Sequence, residues 1–158
     1  MENEVKEPAP KYNRMSPDEY PAMERAAETE HEYYDGDIVA KSGARLKHLQ
    51  IASNPATAVG PFVRDKGCRL VIADMRVCTP GRDGYFYPDV PIVCGEHVTE
   101  DNVFDTLTNP SVIFEILSAS TRRNDMVYNF MYYKQLPSLQ EYIMIDSVKW
   151  GAWSTCRK

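Results

Sequence analysis

The chain has 158 residues, 43% hydrophobic and 26% charged, with a formal net charge of −5, a balance that suits one soluble globular domain built on a single core. No stretch reaches the roughly 18 uninterrupted apolar residues of a membrane span, and the acidic, proline-containing opening is unlike a basic, apolar signal peptide, so a cytoplasmic protein is expected. The negative charge argues against coating nucleic acid by bulk electrostatics, but not against a nuclease, which concentrates carboxylates for a cation and places its few basic residues locally.

Residues 1–14 are polar and aperiodic and read as a disordered arm ahead of one domain over 15–158. Ser16-Pro17-Asp18-Glu19 offers an N-cap, a proline at the first helical position and a capping-box glutamate, which starts a helix running to about Glu28. In His31 to Val39, Asp35-Gly36 between β-prone runs signals a two-residue hairpin.

Residues 45–66 fit a helical face imperfectly, with Gly67 as a stop and Pro55 expected to kink or split the segment. Three strand-like runs follow, Arg69 to Cys78, Tyr85 to Cys94 and Val112 to Leu117, the first two joined by the turn over 79–84. A helix over about Thr121 to Gln135 and a strand over Glu141 to Asp146 close the pattern, with Trp150 and Trp153 in a short tail. This order implies an α/β fold whose mixed sheet is flanked by helices. The four cysteines form no CxxC pair, so no zinc or redox motif is indicated and buried free thiols are expected. His31 and His97 have no companion at metal-ligand spacing.

The run Val112-Ile-Phe-Glu-Ile-Leu117 carries the sharpest signal. A strand buried on both faces is interrupted by Glu115, and a buried charge must neutralise, find a partner or bind a metal. Asp89 interrupts Tyr85 to Val93 in the same way, and Asp74 interrupts Val71 to Val77. Carboxylates converging from neighbouring strands would suit Mg²⁺ or Mn²⁺, which takes one or two carboxylates plus water and substrate phosphate, and hence phosphodiester hydrolysis. The structural alternative gives Asp74 to Arg76, Asp89 to a strand end, and Glu115 to an arginine or tyrosine.

The strings Tyr87-Pro-Asp89, Glu115-Ile-Leu-Ser-Ala-Ser-Thr121 and then Asp125 resemble the Uma2 family of restriction-endonuclease-like proteins, within the PD-(D/E)XK nuclease superfamily. Glu32 to Val39, Ser42-Gly-Ala with His48, Asp74-Met-Arg-Val, Asn109-Pro and Leu136 to Tyr142 follow the family order, so the resemblance covers about residues 16–146. It implies a restriction-endonuclease-like core, a divalent ion on Asp89 and Glu115, Glu32 and Asp74 as further acidic positions, DNA as substrate and a homodimer. The superfamily lysine, two residues after the glutamate, is Leu117 here. The family's substitute lysine, four residues beyond Asp125, is Asn129, which cannot supply a full charge to the transition state. Relatives continue beyond Asp146 with strand-forming sequence, so a shortened C-terminus is a further expectation.

Arg122 and Arg123 fall in the first turn of the helix after Glu115, where cations oppose the helix dipole. They are either phosphate ligands beside the metal or two solvated arginines. His48 is either an ordinary histidine or a group near the scissile phosphate. Lys134 lies about 140° around a helix from Asn129 and so points elsewhere, and Tyr128, Tyr132 and Tyr133 read as packing residues. Two functions stand open: a Mg²⁺-dependent endonuclease, or a catalytically impaired nuclease fold kept as a nucleic-acid-binding or dimeric interaction module. A third possibility leaves every acidic residue structural.

Overall fold

A computed structural model describes residues 14–41, 43–44, 46–72, 74–149 and 151–156. Residues 1–13 of the expected 1–14 arm, together with Ser42 and Trp150, lie outside them.

The capping box forms as the sequence indicates. Ser16 donates its backbone N–H and its hydroxyl to Glu19 Oε2 at 3.0 and 2.8 Å, and Glu19 N–H returns to Ser16 Oγ at 3.3 Å. A turn over Pro17–Glu19 then feeds the shorter helix α1, Tyr20–Ala26. Strands β1 (His31–Tyr34) and β2 (Asp37–Ala40) make the expected hairpin. Its turn residues Asp35 and Gly36 have φ of 45° and 101°, the left-handed values that a two-residue turn of matching twist requires.

Helix α2, Leu46–Asp65, runs through both Pro55 and Pro61 without being split. Of the kink or split expected at Pro55, the split does not occur. Pro55 is buried, and nearby the Ser53 and Thr57 hydroxyls donate to the carbonyls of Gln50 and Ser53 at 2.6 and 2.9 Å.

Two of the expected strands are each two shorter ones. Residues Arg69 to Cys78 divide into β3 (Cys68–Leu70) and β4 (Arg76–Cys78), and Tyr85 to Cys94 into β5 (Gly84–Phe86) and β6 (Val90–Cys94). Asp74 has a φ of 57°, which no strand accommodates, and Pro88 interrupts the second run. Strand β7 (Thr106–Leu107) was not foreseen; β8 (Val112–Leu117) and β9 (Glu141–Asp146) were. The presumed C-terminal tail contains β10, Ala152–Cys156, antiparallel to β9, so strand-forming sequence does follow Asp146.

The ten strands form two five-stranded mixed sheets, in the orders β2-β1-β5-β4-β7 and β10-β9-β8-β6-β3, with β4/β7 and β8/β9 as parallel pairs. Because side chains alternate along a strand, Phe114 and Ile116 of β8 pack toward α2, whereas Ile113 and Leu117 share the opposite face with Val77, Phe86, Tyr133 and Tyr142. Glu115 belongs to this second face. The register Cys68↔Cys94 between β3 and β6 is bridged by a disulfide, which corrects the expectation of free thiols there. Sequence spacing cannot reveal that cross-strand register. Cys78 is a buried free thiol and Cys156 an exposed one. Among the described residues no helix is long and apolar enough to cross a membrane.

Candidate metal and phosphate site

The break between β5 and β6 positions Asp89. Released from the ladder at Pro88, its carboxylate turns to the middle of β8 and accepts the Ile116 N–H through Oδ2 at 2.7 Å. Its own N–H donates to Glu115 Oε2 at 3.3 Å. The other carboxylate oxygen, Oδ1, lies 2.7 Å from Nε2 of His48, in the first turns of α2. This contact holds the imidazole pKa above its usual value, as expected for a cation beside a carboxylate.

Glu115 is 4% exposed, and its contacts are weak: the Asp89 N–H and the Tyr133 hydroxyl each lie 3.3 Å away. Burial, and then the charges of Asp89, Asp125 and Glu32, hold its carboxyl well above the ordinary range. Asp125 is also buried, and burial followed by Asp89 and Glu32 raises it from 3.8 to about 7. Burial raises Glu32 likewise.

The expected helix over 121–135 is a wide π-helical stretch, Asn124–Asn129, running into α3, Phe130–Tyr133. A buried hydroxyl enters the helical ladder: Tyr142 of β9 donates to the Asp125 carbonyl at 2.7 Å, an insertion of the kind that widens helices locally. The wide turn buries Asp125 and Asn129 side by side, with Asn129 Nδ2 donating to Asp125 Oδ1 at 3.2 Å. On its other side, the Tyr34 hydroxyl bridges Asn129 Oδ1 at 2.8 Å and Glu32 Oε2 at 2.7 Å. A polar chain Glu32, Tyr34, Asn129, Asp125 thus borders the Asp89–Glu115 pair.

The structure therefore brings together Asp89, Glu115, Glu32, Asn129 and His48. Asp74 is exposed and off the strand, and its interaction is with Glu30. It does not pair with Arg76 either, because Arg76 is buried against Asp105 at 2.7 Å. Arg122 is held by the Asp146 carboxylate and lies 5.7 Å from the Trp153 ring centre. Arg123 is exposed over Tyr128 at 6.0 Å, and Tyr128 is itself exposed and so outside the core. Tyr133 is fully buried, and Tyr132 packs on Tyr34 and Phe86.

Asp125 and Tyr34 were not singled out as site residues. The four-residue spacing of Asp125 and Asn129 places both on one helical face and was a usable signal. Tyr34 gave none, since its role depends on contact across 95 positions.

The donor set fits a hard divalent ion in kind. Asp89 and Glu115 are two adjacent carboxylates whose like charges repel; His48 offsets one oxygen of Asp89, while Lys41 is engaged with Glu30 and Arg122 with Asp146. Among the described residues no three His, Cys, Asp or Glu side chains are arranged to hold an ion together. The protein would supply a pair, which is the number Mg²⁺ commonly takes.

A helix-flanked mixed sheet with carboxylates meeting at a strand break defines a nuclease-type α/β fold. The chain belongs to the Uma2 family, described as "putative restriction endonuclease", which it matches over residues 17–152. It is similar to two proteins of Synechocystis sp. (strain PCC 6803). One is sll1609, 34% identical over 81% of this chain and 72% of the relative; the other is slr1290, 29% identical over 89% and 73%. The crystal structure of "a putative nuclease belonging to DUF820" from Anabaena variabilis superposes with a TM-score of 0.67 at 18% identity, covering 90% of this chain and 85% of that one, which shows the shared fold.

Proposed function

We propose that the protein is a Mg²⁺- or Mn²⁺-dependent endonuclease that hydrolyses DNA phosphodiester bonds at the Asp89–Glu115 pair. One observation carries the reading: a buried Glu115 is opposed by Asp89, Asp125 and Glu32, an arrangement that costs stability unless a proton or a cation compensates it. A bound divalent ion would activate a water and take up charge on the phosphate oxygen.

The residues around that position have separable duties. His48 fixes one oxygen of Asp89 and the Ile116 N–H fixes the other, so the carboxylate is held in one orientation. Glu32 accepts the Tyr34 hydroxyl and is a candidate to orient the attacking water. Asn129 stands where the family's substitute lysine is expected and offers only an amide dipole, so it can position a water but cannot neutralise developing charge.

The neutrality of Asn129 favours a second reading, a nuclease fold that binds nucleic acid or a second copy of itself with impaired catalysis. Titration calorimetry of Mn²⁺ and Mg²⁺ into the wild type and Asp89→Ala/Glu115→Ala, with plasmid nicking by the same proteins, separates the two. The endonuclease reading expects both binding and nicking, each lost in the double variant. Binding without nicking, with cleavage gained in Asn129→Lys, assigns the defect to the missing charge. An absence of ion binding in the wild type returns the carboxylates to a structural role and overturns the proposal.

A further inference from the structure

Four carboxylates border the site, and a phosphodiester adds another negative charge as it approaches. An ion on Asp89 and Glu115 offsets two of these charges. The remainder still repels the substrate, and more strongly where burial lowers the effective dielectric. A chain with a net charge of −5 provides no general attraction in return. A cation beside the site would offset that repulsion, and two of the basic groups expected there already have carboxylate partners: His48 is paired with Asp89 and Arg122 with Asp146.

We propose that Lys41, directly after β2, is the phosphate-binding cation of this site; the inference rests on the phosphodiesterase reading above. Its backbone N–H donates to the Glu30 carbonyl at 2.8 Å, extending the β1/β2 pairing by one step. Its ammonium lies 4.9 Å from the Tyr87 ring centre and 3.2 Å from Glu30 Oε2. Tyr87 stands two residues before Asp89, at the strand break that positions the Asp89 carboxylate. The field of Lys41 reaches both Glu32 and His48. The ammonium thus stands over the approach to the carboxylates.

Its present engagement is weak. The Lys41 and Glu30 side chains are 34% and 33% exposed, and partly exposed pairs of this kind contribute little. A flexible four-carbon stem can transfer the ammonium from Glu30 to a phosphate oxygen at little cost. Glu30, itself crowded by Asp74, serves as the resting partner.

The test measures binding of a short DNA duplex by fluorescence anisotropy in Ca²⁺, between about 50 and 200 mM salt, for wild type, Lys41→Gln and Lys41→Arg, with nicking rates in Mn²⁺. Lys41→Gln is expected to bind about ten-fold more weakly, with a salt slope smaller by about one unit, while Lys41→Arg keeps the slope. Thermal midpoints within a few degrees of one another establish that all three proteins are folded. Losing only the Glu30 pair would leave the slope unchanged. A Lys41→Gln protein with wild-type affinity and slope overturns this inference alone, and a wild type that neither binds nor nicks overturns the function with it.

Discussion

Single ionisable groups set how this molecule responds to pH. Asp125 is raised from 3.8 to about 7, first by burial and then by the charges of Asp89 and Glu32. The folded chain therefore holds this proton more tightly than the unfolded chain does. The corresponding stability is complete below about pH 4 and is lost as pH rises through 7. Glu115 and Glu32 shift in the same direction. Glu19, Asp101 and Asp146 shift downward, and their contribution is lost only as pH falls below the ordinary carboxylate range. Urea unfolding in EDTA should accordingly show stability declining from pH 4 to pH 8, with Asp125 accounting for on the order of 3 kcal/mol. Asp125→Asn should remove that share and leave a shallower decline. A wild-type profile flat across this window would mean that the carboxylates are hydrated and far apart. At this scale the sequence was informative where a charge broke an apolar run, as at Glu115 and Asp89. It was silent where a hydroxyl completes the site from another element, as Tyr34 does, and it named His48 without its partner Asp89.

The elements that place these groups owe their geometry to breaks as much as to regularity. Asp89 can reach Ile116 N–H only because Pro88 separates β5 from β6, and Asp125 is buried beside Asn129 only because Tyr142 opens the helix into a π turn. The Asp35-Gly36 turn signal made β1 and β2 legible, and β-prone apolar runs did so for β8 and β9. It could not divide Arg69 to Cys78, because the left-handed φ of Asp74 is a tertiary outcome, nor foresee the π turn, whose inserting hydroxyl comes from β9. The β4/β5 turn offers a direct test of how tightly this framework is packed. A Cβ on Gly84 would stand 2.5 Å from Cε2 of Phe86 and 2.9 Å from Cδ1 of Tyr132. Phe86 is fully buried against Tyr34, Tyr132 and Tyr133, so its ring has nowhere to withdraw. Gly84→Ala should cost about 1–3 kcal/mol in denaturant unfolding, the usual penalty of overpacking. It should also weaken divalent-ion binding, because Tyr34 belongs to the same ring cluster and bridges Glu32 to Asn129. An unchanged midpoint would show that the Phe86 cluster can yield.

For the molecule as a whole, net charge and local charge pull against each other. With five more acidic than basic residues, the chain lacks the long-range field by which basic proteins gather DNA. On the endonuclease reading, its affinity for DNA would depend on what neutralises the carboxylate cluster, which would couple ion binding to DNA binding. If an ion on Asp89 and Glu115 favours the phosphate, thermodynamic linkage requires DNA to favour the ion by the same factor. In EDTA the wild type should bind duplex DNA weakly. Ca²⁺ or Mn²⁺ should tighten binding by an order of magnitude or more, a coupling of about 1.4 kcal/mol or above, and calorimetry with DNA present should return the same factor for the ion. Asp89→Ala/Glu115→Ala should be insensitive to the ion. Removing the Asp89 charge, and with Glu115 the second carboxyl, should nevertheless let the double variant bind DNA in EDTA more tightly than the wild type does. That inversion distinguishes a site held in check by its own carboxylates from a surface that merely contacts DNA, on which the double variant and the wild type would bind alike with or without the ion.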